Sequence, residues 1–204
     1  MQTQLQIMLD LQESMNLRVH DNWRAQHYEW YRAIWVESAE LMDHYGWKWW
    51  KKQIPDDEQI KLELVDIWHF GLSMLLMNHH SVDAIADELS SCLKNEHVDF
   101  RVALEEFASN TLSTKNFAIK KFATLLNAIN MSFEELYIAY IGKNVLNFFR
   151  QDHGYKDGSY QKLWGGMEDN EHLVQIVNSL DTSNPNFKDN VYTCLSQRYS
   201  ELCP

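Results

Sequence analysis

Four acidic residues fall into two pairs of equal spacing, Glu37-x-x-Glu40 and Glu63-x-x-Asp66. Residues three apart on a helix sit side by side on one face. Each pair lies in or beside an apolar helical stripe. The first stripe is Trp30, Ala33, Ile34, Glu37, Glu40 and Leu41; the second is Ile60, Glu63, Ile67, Phe70 and Met74, with Asp66 beside it. Carboxylates facing a helical core repel one another and are costly to desolvate unless something compensates. A hard divalent cation is the natural compensation, because Mg2+ takes oxygen ligands and keeps waters that a substrate can use. One E-x-x-E pair is ordinarily a solvated helix face. Two such pairs on inward faces, at the separation of a helix hairpin, point to a metal site.

A di-iron reading competes, since four-helix di-iron proteins draw E-x-x-H pairs from two helices. Asp66 is followed three residues later by His69, and Asp169 by His172. Neither is an E-x-x-H on a long helix, so magnesium is favoured over iron. A second constellation is Lys143, Asn147 and Arg150, at i, i+4 and i+7 on one helix face. Such a face is either an ordinary exposed basic surface or a donor set for phosphate oxygens, where Arg binds bidentately. The adjoining Gly154-Tyr155-Lys156 loop adds a cation, a hydroxyl and open backbone amides.

The elements that must carry these groups read as helices, because no stretch alternates cleanly as a strand. A first helix is expected over about Gln4 to Leu17, with Gln12 and Asn16 four residues apart on its apolar face. A second is expected over about Gln26 to Tyr45. A Trp/Lys-dense connection, Trp47 to Lys52, follows. Pro55 and the acids after it open a third helix that runs to about Asn78. About Val82 to Ile129 reads as two or three shorter helices whose stripes, Phe100, Leu104 and Phe107, then Phe117, Phe122 and Leu125, are plain core. Ser132 and Glu135 form a capping box for a helix from Phe133 to Arg150. A Gly-punctuated loop, a short helix near Glu171 to Asn178 and a last helix from about Phe187 to Leu202 close the chain. With no repeat or linker, residues 1–204 are expected to form a single all-α domain.

Composition narrows the classes further. Seven Gly and three Pro in 204 residues are too few for a multi-turn sandwich, a collagen-like chain or a disordered linker. The net charge of −11 makes nucleic acid or an anionic membrane a poor partner. Cys92, Cys194 and Cys203 are too few and too scattered for a disulfide framework or a zinc site. No basic segment leads into an apolar run at the N-terminus and no 18-residue apolar run exists, so a cytoplasmic protein without an export signal is expected.

Five blocks carry a family resemblance: Leu11-Gln12-Glu13-Ser14-Met15-Asn16; Glu37-Ser38-Ala39-Glu40-Leu41; Trp47-Lys48-Trp49-Trp50-Lys51; Glu63 through Phe70; and Tyr140 through Gln151, running on through Gly154 to Tyr160 and to Glu168-Asp169-Asn170. The carboxylate pattern resembles the all-α nucleoside triphosphate pyrophosphatases. The late Lys-Asn-x-x-Asn-x-x-Arg block with Gly-Tyr-Lys is more specific and resembles the dimeric dUTPases within that superfamily. The middle, about Ser81 to Ile129, is the least similar part.

The resemblance implies a helical bundle of the all-α pyrophosphatase type, a homodimer, and Mg2+-dependent hydrolysis of dUTP to dUMP and pyrophosphate, with dUDP also accepted. It implies that Glu37, Glu40, Glu63 and Asp66 hold two or three Mg2+ and that Glu37 or Glu40 orients or deprotonates the attacking water. Lys143, Asn147, Arg150, Tyr155 and Lys156 would bind phosphate. Gln12 and Asn16 would read a pyrimidine edge, unless they are a buried amide pair satisfied by backbone. Trp47 and Phe70 would stack on the base or pack against the sugar, His69 would contact the sugar, and Asn170 would hold the nucleotide; Trp47, Phe70 and His69 also have plain packing roles open to them. Trp49 and Trp50 fit a dimer interface. A related pyrophosphatase acting on dCTP or several nucleotides, and a non-catalytic binding protein with the same fold, are the alternatives.

Overall fold

The computed structural model describes residues 1–93 and 98–203. The part of the expected middle segment at 94–97 lies outside the described residues. The chain is all-α, with nine α-helices and one short hairpin among the described residues. The helices are α1 (Gln2–Val19), α2 (Trp30–Tyr45), α3 (Asp57–Met77), α4 (Val82–Cys92), α5 (Phe100–Thr114), α6 (Ile119–Ala128), α7 (Phe133–Asp152), α8 (Asp169–Ser179) and α9 (Phe187–Leu202). The hairpin pairs β1 (Leu163–Trp164) with β2 (Met167–Glu168). No described helix is long and apolar enough to cross a membrane.

Two compact units divide the chain, Met1–Tyr137 and the segment from Ile138 on. In the first, α2 packs most extensively on α3, and α1, α5 and α6 complete the layer around them. Its core is aromatic: Trp68 stacks on Phe122 at 5.0 Å, and Phe117 and Phe107 close the cluster. Trp68, Phe107, Phe117 and Phe122 are all buried, as the apolar stripes require. In the second unit Trp164 and Phe149 are fully buried, and Trp164 stacks on His172 while Tyr160 stacks on Tyr199.

Helix ends follow local chemistry. Asp56, not Pro55, caps α3, its side chain accepting from the Gln59 amide. Ser132 and Glu135 form the expected capping box, with the Ser132 amide donating to Glu135 Oε2 at 2.8 Å and the Glu135 amide to Ser132 Oγ at 3.2 Å. The second helix starts at Trp30 rather than Gln26. A 3-10 turn at Trp23–Gln26 and a left-handed His27 precede it. Arg24 pairs with Glu13 through two hydrogen bonds, and Trp23 and Tyr28 both pack edge-on against Trp30. Tertiary packing therefore overrides the helical periodicity there.

Gly71 marks the tightest contact in the first unit. A Cβ built there would lie 2.5 Å from the buried Phe117 ring. Gly71→Ala should destabilise the chain by about 1–3 kcal/mol, the usual range for overpacking. Chemical denaturation against the unaltered protein checks this.

Candidate metal centre and polar clusters

Glu37 on α2 and Glu63 and Asp66 on α3 converge, with one carboxylate oxygen from each within 4.8 Å of the others. The i, i+3 spacing puts Glu63 and Asp66 on one face of α3, and α2 packs along it. Glu63 is only 6% exposed. Three carboxylates this close cannot all be charged without a counter-charge. Burial, then the Asp66 charge, then a hydrogen bond to Glu63 and its charge push the Glu37 carboxyl up to about 9. At neutral pH a proton on Glu37 thus takes the place a cation would fill. An all-oxygen donor set of this kind fits Mg2+ or Mn2+ rather than a soft metal.

Glu40 is exposed and lies outside this three-carboxylate group. His44, one turn beyond Glu40, brings Nε2 to 3.6 Å from Glu63 Oε1. The sequence signal for His44 was its place four residues after Glu40 on the same face. The two Asp-x-x-His pairs do not form a second metal centre among the described residues. His69 turns its Nδ1 to Gln12, and His172 places Nε2 by the Trp164 carbonyl and Nδ1 by Arg198.

Gln12 and Asn16 on α1 are buried against α3 in a polar network. Gln12 Nε2 donates to Asn16 Oδ1 at 3.1 Å and to Ser73 Oγ at 3.0 Å, and Asn16 Nδ2 donates to Ser73 Oγ at 3.1 Å. His69 Nδ1 lies 2.7 Å from Gln12 Oε1. The amides bond to each other and to the Ser73 and His69 side chains of α3. Phe70 is half-buried and packs on Trp30 at 6.1 Å. Trp47 is largely exposed; it donates to Asp43 and packs edge-on against Trp50, while Trp49 is 90% exposed.

In the second unit Arg150 donates twice to Asp169, from Nε to Oδ2 and from Nη2 to Oδ1, each at 2.8 Å. Tyr160 donates to Asp169 Oδ2 at 2.7 Å. Asp169 is fully buried. Burial alone would raise its carboxyl, but the Arg150 hydrogen bonds and charge and the Tyr160 hydroxyl outweigh it and hold Asp169 below the usual carboxylate range. Lys143 Nζ donates to Asn170 Oδ1 at 2.8 Å, Arg150 Nη1 to Asn147 Oδ1 at 3.2 Å, and the Arg150 guanidinium lies over the Tyr155 ring at 5.8 Å. Lys143, Asn147, Arg150, Asn170 and Tyr155 are thus brought together around Asp169, whose part the sequence did not show. Lys156 is exposed in the following loop.

The chain is thus an all-α protein in which one carboxylate of α2 meets two of α3. The sequence pattern of the dUTPase family, in its dimeric all-α form, matches residues 4–155. No curated protein matches the chain. The family match spans most of the chain, and the protein belongs to the dUTPase family. Lys156, Asp169 and Asn170 lie beyond the matched span.

The raised Glu37 carboxyl fixes the sign of a pH effect. The folded chain binds that proton more tightly than the unfolded chain, so the contribution of Glu37 to stability is fully present below the ordinary carboxylate range and is lost as pH rises toward about 9. In excess chelator the melting temperature should drop between pH 5.5 and 8.5. Glu37→Gln should flatten that drop, and Mg2+ should restore stability at pH 8.5 in the unaltered protein. An unchanged slope in Glu37→Gln contradicts the assignment.

Proposed function

We propose that the protein hydrolyses dUTP to dUMP and pyrophosphate, and dUDP to dUMP and phosphate, by attack of water that breaks the bond between the α- and β-phosphates, with Mg2+ as the activating ion. The convergence of Glu37, Glu63 and Asp66 carries this reading, together with membership of the dUTPase family. When bound, Mg2+ neutralises phosphate charge and makes water a better nucleophile at neutral pH.

The chain's own groups then have separable tasks. Glu63 and Asp66, with Glu37 and Glu40, hold two or three cations. Glu37 or Glu40 orients the attacking water and takes its proton. Lys143, Asn147, Arg150, Tyr155 and Lys156 bind phosphate oxygens. Asp169 holds the Arg150 guanidinium in one plane for this purpose. Gln12 and Asn16 read the pyrimidine edge, with His69, Phe70, Trp47 and Asn170 contacting base or sugar. The exposed Trp49 and Trp50 serve a homodimer interface, as fits an apolar patch of this kind.

Pyrophosphate release across the nucleoside triphosphates, with and without Mg2+, tests the reading. Turnover should require Mg2+ and stop in excess chelator. Glu37→Gln and Asp66→Asn should each lower kcat by at least about 100-fold, as loss of a positioned base or ligand does, with the helical content unchanged. Full turnover in chelator, or in either amide variant, contradicts the proposal. Equal specificity constants for dUTP and dCTP would instead indicate a broader pyrimidine pyrophosphatase.

A further inference from the structure

Ser73 is the point where the buried amides meet. Its side chain is 0% exposed. Its oxygen accepts from Gln12 Nε2 at 3.0 Å and from Asn16 Nδ2 at 3.1 Å, and it lies 3.2 Å from both Asn16 Oδ1 and the His69 carbonyl. We propose that Ser73 is a positioning residue for base specificity: it fixes which ends of Gln12 and Asn16 present N–H and which present C=O, and so sets the preference for a uracil edge over a cytosine edge. This rests on the reading of the amide pair as the base site.

A side-chain amide is nearly symmetric in shape but opposite in hydrogen-bonding sense at its two ends. Its neighbours therefore decide its orientation. Gln12 is held at both ends. His69 Nδ1 lies 2.7 Å from Gln12 Oε1, and Ser73 Oγ accepts from Gln12 Nε2. Gln12 Nε2 also donates to Asn16 Oδ1, which passes the orientation on to the second amide. The single Ser73 hydroxyl hydrogen has two acceptors, Asn16 Oδ1 and the His69 carbonyl one turn back along α3. Both uses leave the oxygen's lone pairs to the two amide nitrogens. Turning Gln12 over would set its oxygen against Asn16 Oδ1, an unfavourable contact in a buried site. Without the Ser73 oxygen, each of the two amides loses a hydrogen-bond acceptor. Uracil and cytosine differ at one edge position, a carbonyl in one and an amino group in the other, so a site free to turn its amides accepts both.

The test compares Ser73→Ala and Ser73→Cys with the unaltered protein by competition kinetics on dUTP and dCTP. Cysteine fills the site while accepting hydrogen bonds only weakly, so it answers the question if the alanine variant folds poorly. The ratio of specificity constants, dUTP over dCTP, should fall at least about fivefold, or ~1 kcal/mol. The kcat on saturating dUTP should change less than the ratio. A purely structural role for Ser73 would weaken both nucleotides alike, so an unchanged ratio in both variants overturns the inference. Gln12→Ala separates the levels. If it weakens nucleotide binding while the Ser73 variants keep the ratio, this inference alone falls. If Gln12→Ala leaves binding unchanged, or the unaltered protein shows no preference for dUTP, the base-site reading falls and this inference with it.

Discussion

Mutual repulsion among Glu37, Glu63 and Asp66 is the constraint around which the first unit is organised. Three carboxylates in a partly buried space are tolerable only if a proton or a cation sits among them. The pairing of α2 with α3 holds them there, and the surrounding aromatic core holds that pairing. Trp68 is buried on the opposite side of α3, five residues on from Glu63, where it stacks on Phe122. A helix pair built only for stability would place apolar residues at these positions, because burying charge is unfavourable when it serves no ligand. Burial and the neighbouring carboxylates push the Glu37 carboxyl up to about 9, so a proton there relieves the repulsion when no cation is bound.

The other polar clusters obey a second rule: buried polar groups are held by fixed partners. Gln12, Asn16, His69 and Ser73 form one connected set, and Arg150, Asp169, Tyr160, Lys143 and Asn170 another. In each, a group with one chemical sense is locked by a neighbour of the opposite sense. Asp169 fixes the plane of a guanidinium, and Ser73 with His69 fixes the polarity of an amide. Preorganisation of this kind lets a site act on a ligand without first rearranging itself.

Much of this was legible in the sequence, and the reason differs by residue. The i, i+3 carboxylates on apolar stripes announced themselves because helical spacing is local. The same holds for the Ser132 and Glu135 cap and for the stripes of Phe107, Phe117 and Phe122. Ser73 and Asp169 were not legible, because their partners lie far off in sequence. Ser73 meets Gln12 across 61 positions, and Asp169 meets Arg150 across 19. The start of α2 was missed because aromatic packing of Trp23, Tyr28 and Trp30 outweighed periodicity. The β1–β2 hairpin was missed because two-residue strands are too short to alternate; only Gly165-Gly166 at positive φ marks its turn.

The most direct test of the account is a titration of Mn2+ into the chelator-treated protein, with the free ion followed by electron paramagnetic resonance. The account predicts saturable loss of the free-ion signal, its recovery on adding Mg2+, and loss of that binding in Asp66→Asn with the fold intact. Mn2+ binding that is absent, or that survives unchanged in Asp66→Asn while dUTP is still hydrolysed, would contradict the claim that the α2–α3 carboxylates are the metal centre.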